Sequence, residues 1–129
     1  MTVRWRILHV EDDPDIRMVT GLALGLDPSL SVRSVESGGA ALALLAQGDY
    51  VPDLLLVDVM MPDMDGMRLI AEARALDGLR SVPAIVMTAR ARPGDVERYR
   101  AAGSLGLIVK PFDPVTLAAR IRGMMADAV

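Results

Sequence analysis

The chain has 129 residues, a net charge of −3 and no cysteine; this length suits one domain with a buried core, and disulfide or thiolate chemistry is excluded. The thirteen arginines are scattered among acids and aromatic residues make up only 3%, so we expect no direct nucleic-acid binding. The longest apolar run, residues 40–46, is too short to span a bilayer, and residues 1–6 lack the apolar run of a signal peptide, so we expect a cytoplasmic protein without membrane insertion.

The first third of the chain predicts two strand–helix units. Residues 5–10 form a strand-like run that ends in acids. Asp13 precedes a proline, which is typical of a helix N-cap followed by the first turn, and this helix is expected over residues 14–26. A short alternating strand at 31–35 is followed by an Ala/Leu-rich helix over 37–47.

The middle of the chain contains two strands that are apolar throughout. Residues 54–57 read Leu-Leu-Leu-Val and end at Asp58, a pattern that indicates a strand buried on both faces, as in a parallel sheet. A polar turn then leads into a helix over 67–76. Residues 83–87 predict another buried strand, which ends at Thr88.

The last third predicts two further helices and a strand. A helix is expected over 93–102, a strand over 106–109 ending at Lys110, and a final helix starting at Asp113-Pro114. The inward face of the first of these helices is predicted to hold Val96, Tyr99 and Ala102. The inner stripe of the final helix is predicted to be Leu117, Ile121 and Met124.

Five strands therefore alternate with five helices. This order predicts an α/β fold with a doubly wound five-stranded parallel sheet covered by five helices, a flavodoxin-like (βα)5 sandwich. No linker or repeat divides the chain, so residues 1–129 are expected to form one domain.

Polar side chains follow four of the five predicted strands. They are Glu11 and Asp12, then Asp58, then Thr88, then Lys110, the only lysine of the chain. Ligands of parallel sheets bind at the carboxyl ends of the strands, so we expect these groups to converge. The pKa of at least one clustered carboxylate should rise unless a cation compensates the charge, and Mg²⁺ fits such a cluster.

A carboxylate in such a cluster can act as a nucleophile toward phosphorus and form an aspartyl phosphate. Lys110 would neutralise the developing charge and Thr88 would donate a hydrogen bond. The chain has no Gly-rich phosphate loop of the GxxxxGK[ST] kind, which disfavours an NTPase.

The same residues lie in blocks with a recognisable order and spacing. The blocks are Val10-Glu11-Asp12-Asp13-Pro14, residues 58–66, Thr88-Ala89, Ala102-Gly103 and Lys110-Pro111-Phe112. Together they closely resemble the receiver domain of two-component response regulators, of the single-domain type, and the resemblance covers essentially the whole chain.

The resemblance implies a phosphoacceptor rather than a classical enzyme, because such domains catalyse only their own phosphorylation and dephosphorylation. Asp58 resembles the acceptor, which takes a phosphoryl group from a histidine kinase or histidine phosphotransfer protein. Thr88 resembles the switch hydroxyl and Lys110 the ion-pairing lysine, followed by a cis bond to Pro111. The implied Mg²⁺ ligands are Glu11, Asp12, Asp58 and the backbone carbonyl of Met60.

Two departures from the family pattern involve three residues. Leu107 stands where the family usually has Tyr or Phe, so the aromatic side-chain flip that accompanies threonine closure cannot occur as such. Met60 and Arg90 stand at the positions that tune dephosphorylation, and Met60 cannot position an attacking water. We therefore expect a long-lived phosphorylated form.

Two alternatives remain open at this point. A phosphorylation-independent receiver-like interaction module is kept open by Leu107. A phosphohydrolase with an aspartyl-phosphate intermediate is disfavoured, because Met60 has no proton to donate as a general acid. With no output domain after Val129, the expected readout is a downstream output protein, and a monomer or weak dimer is expected; the chain can equally be a piece of a larger regulator.

Several polar residues are given structural roles. Asp13 is expected to cap a helix, and Asp63 and Asp65 to shape the turn into the third helix. His9, the only histidine, is expected to be a satisfied core residue. The arginines at 90, 92, 98 and 100 are most simply a solvated face.

Overall fold

The computed structural model describes residues 4–127, which form a single parallel sheet with helices on both sides. The strands are β1 (Trp5–Val10), β2 (Leu30–Val35), β3 (Leu54–Asp58), β4 (Ala84–Thr88) and β5 (Gly106–Val109). The helices are α1 (Pro14–Gly25), α2 (Gly38–Ala46), α3 (Gly66–Arg74), α4 (Asp95–Ala101) and α5 (Leu117–Asp127). The predicted alternation of five strands and five helices is confirmed.

The strand order is β2-β1-β3-β4-β5, and every neighbouring pair is parallel. From β1 the chain moves to one edge to form β2 and then returns past β1 to form β3. The order therefore reverses between β1 and β3, and a crevice opens at the carboxyl ends of these two strands.

Two apolar clusters fill the space between the sheet and its helices. Alternate residues of each strand point to opposite faces: Leu8 and Leu55 pack with α2, α3 and α4, whereas Ile7 and Leu54 pack with α1 and α5. Burial of both faces explains why β3 and β4 read as continuous apolar runs, since all five residues of each are buried.

The helix boundaries agree with the sequence prediction within two residues except at α5. The predicted start at Pro114 is wrong, because residues 114–116 form a turn and the helix begins at Leu117. The carbonyl of Asp113 accepts hydrogen bonds from the backbone of both Thr116 and Leu117, so this first turn is wound more tightly than an α-helix. Met125, rather than Met124, completes the buried row of α5.

The predicted inward face of α4 is confirmed for Tyr99 and wrong for Val96 and Ala102. Tyr99 is buried, but Val96 and Ala102 are exposed, and the second buried residue of the helix is Asp95. The Asp95 carboxylate accepts from the backbone N–H of Arg92 and from Arg98, so burial here is compensated by hydrogen bonds rather than driven by apolar packing. Among residues 4–127, no helix has the length and apolar character needed to cross a membrane.

Candidate phosphoacceptor site

Three carboxylates meet at the carboxyl edge of the sheet. Glu11 and Asp12 follow the last residue of β1, and Asp58 is the last residue of β3. Each contributes a carboxylate oxygen, and these oxygens lie within 4.8 Å of one another. Glu11 and Asp58 are buried, whereas Asp12 is accessible to solvent. We call these three residues the acidic cluster; it occupies the crevice where the strand order reverses.

Lys110 reaches the acidic cluster from the end of β5. Its Nζ lies 2.9 Å from Glu11 Oε1 and 3.3 Å from Asp58 Oδ2, and only 10% of the side chain is exposed. The peptide bond from Lys110 to Pro111 is cis, as expected. The predicted convergence of the polar side chains that follow the strands is thus confirmed for the acidic cluster and Lys110.

The pKa values of Glu11 and Lys110 reflect their burial and the excess of negative charge in the acidic cluster. The pKa of Glu11 is raised to about 7, first by burial and also by Asp58, against the opposing hydrogen bond from Lys110. Burial by itself lowers the pKa of Lys110, but the hydrogen bond to Glu11 and the charge of Asp58 outweigh it, and this pKa is raised. One ammonium does not balance three carboxylates, and a divalent cation would.

Thr88 lies beside the cluster but directs its hydroxyl elsewhere. It is buried at the end of β4, next to β3. Its Oγ1 donates to the backbone carbonyl of Arg90 at 2.9 Å and accepts from the backbone N–H of Arg90 at 3.2 Å. The hydroxyl therefore closes a small turn within the β4–α4 loop and must leave Arg90 before it can bind another group.

A cavity of about 550 Å³ opens above the acidic cluster. Its lining includes the acidic cluster, Lys110 and Thr88. Met60, Arg90 and Arg92 also line it, all three exposed. The cavity is wide enough to admit a phosphoryl group from solvent. Arg90 and Arg92 are exposed, as the solvated-face interpretation expects, and they also line this cavity.

The loop from β3 to α3 fixes the position of Asp58. The Asp65 carboxylate caps α3 by accepting from the backbone N–H of Met67. Gly66 lies so close to the backbone carbonyl of Asp58 that a Cβ at this position would collide with it. Glycine is thus required where α3 begins under the candidate acceptor.

Asp63, which was expected to shape the turn into α3, also reaches across to another helix. Its carboxylate accepts from the backbone N–H groups of Gly38 at 3.3 Å and Gly39 at 2.8 Å, at the start of α2. These bonds hold the pKa of Asp63 below its usual value. The residue ties the β3–α3 loop to α2, whose first N–H groups attract a carboxylate.

The cap predicted at Asp13 is confirmed, since its carboxylate accepts from the N–H groups of Asp15 and Ile16. His9 is fully buried in β1, as expected, but only half satisfied. Its Nδ1 lies 3.0 Å from Ser34 Oγ, while Nε2 has no hydrogen-bond partner among residues 4–127. Burial, with the nearby charges of Lys110 and Arg17, lowers the pKa of His9 to about 4.

Sequence reasoning missed Arg17. Its Nη1 donates to the backbone carbonyl of Glu11 at 2.9 Å and to that of Asp12 at 3.4 Å. The only signal in the sequence is a lone basic residue one turn into a helix that follows three acids, and backbone acceptors carry no signature of residue type.

Comparison with known proteins identifies the class to which this fold and site belong. The sequence profile of the response regulator receiver domain matches residues 7–122. The chain belongs to the response regulator receiver family.

Two curated relatives are longer bacterial regulators. The transcriptional regulatory protein CseB of Streptomyces avermitilis is 37% identical over 125 residues, which cover 97% of this chain and 51% of the relative. The DNA-binding response regulator MtrA of Mycolicibacterium smegmatis is 34% identical over 127 residues, 96% of this chain and 52% of the relative. The chain spans about half the length of these relatives.

Solved receiver structures share the fold over nearly the whole chain. The chemotaxis protein CheY4 of Vibrio cholerae superposes with a TM-score of 0.82 at 29% identity, covering 95% of this chain and 99% of that one. A CheY-like receiver domain protein from Methanospirillum hungatei gives a TM-score of 0.80 at 27% identity, covering 96% and 95%.

Proposed function

We propose that this receiver takes a phosphoryl group on Asp58 from a histidine kinase or histidine phosphotransfer protein, in a Mg²⁺-dependent reaction, and thereby changes its affinity for a downstream output protein. One observation carries the proposal: Asp58 is a buried carboxylate that faces an open cavity, beside two further carboxylates and 3.3 Å from the only lysine. Burial of two neighbouring carboxylates costs free energy, and such groups are typical of functional sites.

In the proposed reaction a carboxylate oxygen of Asp58 attacks the phosphorus of a phosphohistidine. An O–P bond forms and the N–P bond breaks, and the imidazole leaves with the electron pair and takes up a proton. Lys110, held by Glu11, keeps its ammonium beside Asp58 and balances the charge of the transferred phosphoryl oxygens. Thr88 then exchanges its bond with Arg90 for a bond to a phosphoryl oxygen.

The donor set of the acidic cluster fits Mg²⁺. Carboxylate oxygens are the hard ligands that this ion prefers, and one accessible and two buried carboxylates leave room for water and a phosphoryl oxygen. Glu11, Asp12 and Asp58 would hold the ion, with the backbone carbonyl of Met60 as a further proposed ligand. When bound, Mg²⁺ would neutralise the charge that accumulates during transfer.

The remaining features follow from this role. Residues 1–129 act as one receiver domain in the cytoplasm, as a monomer or weak dimer, and without direct contact to nucleic acid. The domain acts on no substrate other than its own aspartate. The output partner reads the rearrangement of the β4–α4 loop, since Leu107 is a buried core residue of β5 and offers no aromatic ring that could move.

The test is intact-mass spectrometry after incubation with acetyl phosphate, with Mg²⁺ or with a chelator. The parent protein is expected to gain one phosphoryl group only with Mg²⁺, and Asp58→Asn to gain none. Asp77→Asn, an exposed site after α3, is the matched control and should behave as the parent. A parent protein that never gains mass would contradict the proposal and favour the phosphorylation-independent interaction module.

A further inference from the structure

We infer that Arg17 is a positioning residue for the acidic cluster: its guanidinium holds the loop that carries Glu11 and Asp12 in the geometry that binds the metal ion. The inference rests on the proposed Mg²⁺-dependent function and extends it to a residue outside the cluster. Arg17 Nη1 donates to two successive backbone carbonyls of that loop, at 2.9 Å from Glu11 O and 3.4 Å from Asp12 O.

The loop needs such support because it has just left the sheet. The parallel pairing of β1 with β2 ends at Val10, and one further bond joins the N–H of Glu11 to the carbonyl of Val35. Among residues 4–127, the next two carbonyls, those of Glu11 and Asp12, accept no backbone hydrogen bond and without Arg17 would depend on water. Arg17 Nη1 donates a hydrogen bond to each of these two carbonyls.

The position of Arg17 is itself fixed. Its backbone N–H donates to the carbonyl of Asp13 at 2.9 Å, the first helical bond of α1, and the Asp13 side chain caps the same helix. The loop is thus tied to the sheet at Glu11, to the start of α1 at Asp13, and to the guanidinium between them. Side chains that orient metal ligands in this way strongly affect metal affinity.

If Arg17 acted only through its charge, its removal would change the affinity for Mg²⁺ in the opposite direction from the loss of a support for the loop. A guanidinium near a cation site repels the cation, so removal of its charge alone would strengthen Mg²⁺ binding. Removal of a support for the ligand loop would weaken binding. The sign of the change in affinity therefore separates the two roles.

The experiment is a calorimetric titration of metal-free protein with Mg²⁺. Arg17→Met, which keeps the apolar stem, is expected to weaken binding about 10-fold. Arg68→Met is the matched control, because Arg68 is an exposed residue of α3 that pairs with Glu72, and it should leave the affinity unchanged. Unchanged or tighter binding by Arg17→Met would overturn the inference.

Arg17→Lys keeps the charge and the folded helix, but its ammonium is one bond closer to the backbone than Arg17 Nη1 and falls short of the two carbonyls. We expect it to weaken Mg²⁺ binding, and we expect the N–H groups of Glu11 and Asp13, which donate to Val35 O and Glu11 Oε2, to exchange hydrogen faster in the metal-free protein. Parent-like affinity and exchange in this variant would also overturn the inference. If the parent binds Mg²⁺ but accepts no phosphoryl group, the proposed function fails while the affinity ratios still decide the role of Arg17.

Discussion

Lys110 Nζ lies 2.9 Å from Glu11 Oε1, although 99 residues separate the two. They extend from the ends of β5 and β1, which are separated in the sheet by β3 and β4. The lysine thus spans the crevice and draws the acidic cluster together, yet it leaves an excess of negative charge.

This excess predicts that Asp58→Asn stabilises the metal-free protein. Loss of the Asp58 charge removes repulsion with two carboxylates and attraction to one ammonium, which leaves a net gain of roughly 1 kcal/mol at pH 8. The gain should shrink below pH 7, where Glu11 is protonated, and also with added Mg²⁺. Urea unfolding curves measure it, with Asp77→Asn as the control; a destabilised Asp58→Asn would contradict the charge argument.

The bond between Thr88 and Arg90 predicts a local signature of activation. Beryllofluoride with Mg²⁺ mimics the phosphoryl group, and we expect a large shift of the Arg90 amide signal in ¹H–¹⁵N spectra because the hydroxyl leaves this amide. In Thr88→Val the shift should be mostly lost, whereas Thr116→Val, an exposed site before α5, should respond as the parent. An equal response in Thr88→Val would show that the hydroxyl is not the moving part.

The side chain of Met60 predicts slow loss of the phosphoryl group. It is 78% exposed at the rim of the cavity and offers no strong hydrogen bond to an attacking water. Met60→Asn supplies an amide there and should shorten the lifetime of the phosphorylated form several-fold, measured by mass spectrometry after removal of the donor. Met18→Asn, exposed on α1, is the control. A parent half-life of seconds would rule out this explanation.

His9 predicts a dependence of stability on pH. Its pKa is about 4 in the folded protein against an ordinary 6.5, so protonation favours the unfolded chain, and stability present above pH 6.5 is lost as the pH falls toward 4. The loss amounts to about 3 kcal/mol at pH 4. Burial is the main cause, and Lys110 and Arg17 are the charges that face the ring.

His9→Asn keeps a polar group toward Ser34 but does not titrate. The free energy of unfolding of the parent, relative to this variant, should therefore fall by about 3 kcal/mol between pH 7 and pH 4 in metal-free buffer. The comparison cancels the contribution of Glu11, whose raised pKa acts in the opposite direction. A difference that does not change with pH would mean that the ring is not buried in its neutral form.

The sequence predicts the sheet from local apolar patterns, and it predicts the acidic cluster from the polar residues that follow the predicted strands. Apolar runs mark β3 and β4, and the rule that parallel strands end at one edge brings Glu11, Asp58 and Lys110 together. The start of α5 was missed because a proline suits a tight turn as well as a helix.

The sequence pattern does not predict hydrogen bonds from a side chain to the backbone of a distant segment. Asp63 binds N–H groups 24 and 25 residues away, and Arg17 binds carbonyls that any residue type would present. The inward face of α4 was misjudged because its burial includes a carboxylate, Asp95, whose hydrogen bonds only the folded structure supplies.

The most direct test of the central claim is to locate the phosphoryl group. Protein treated with acetyl phosphate and Mg²⁺ is reduced with borohydride, which converts an aspartyl phosphate into homoserine, and the peptides are sequenced by tandem mass spectrometry. We predict homoserine at position 58 and at no other aspartate. Homoserine at Asp12 or elsewhere, with Asp58 unmodified, would contradict the proposed role of Asp58.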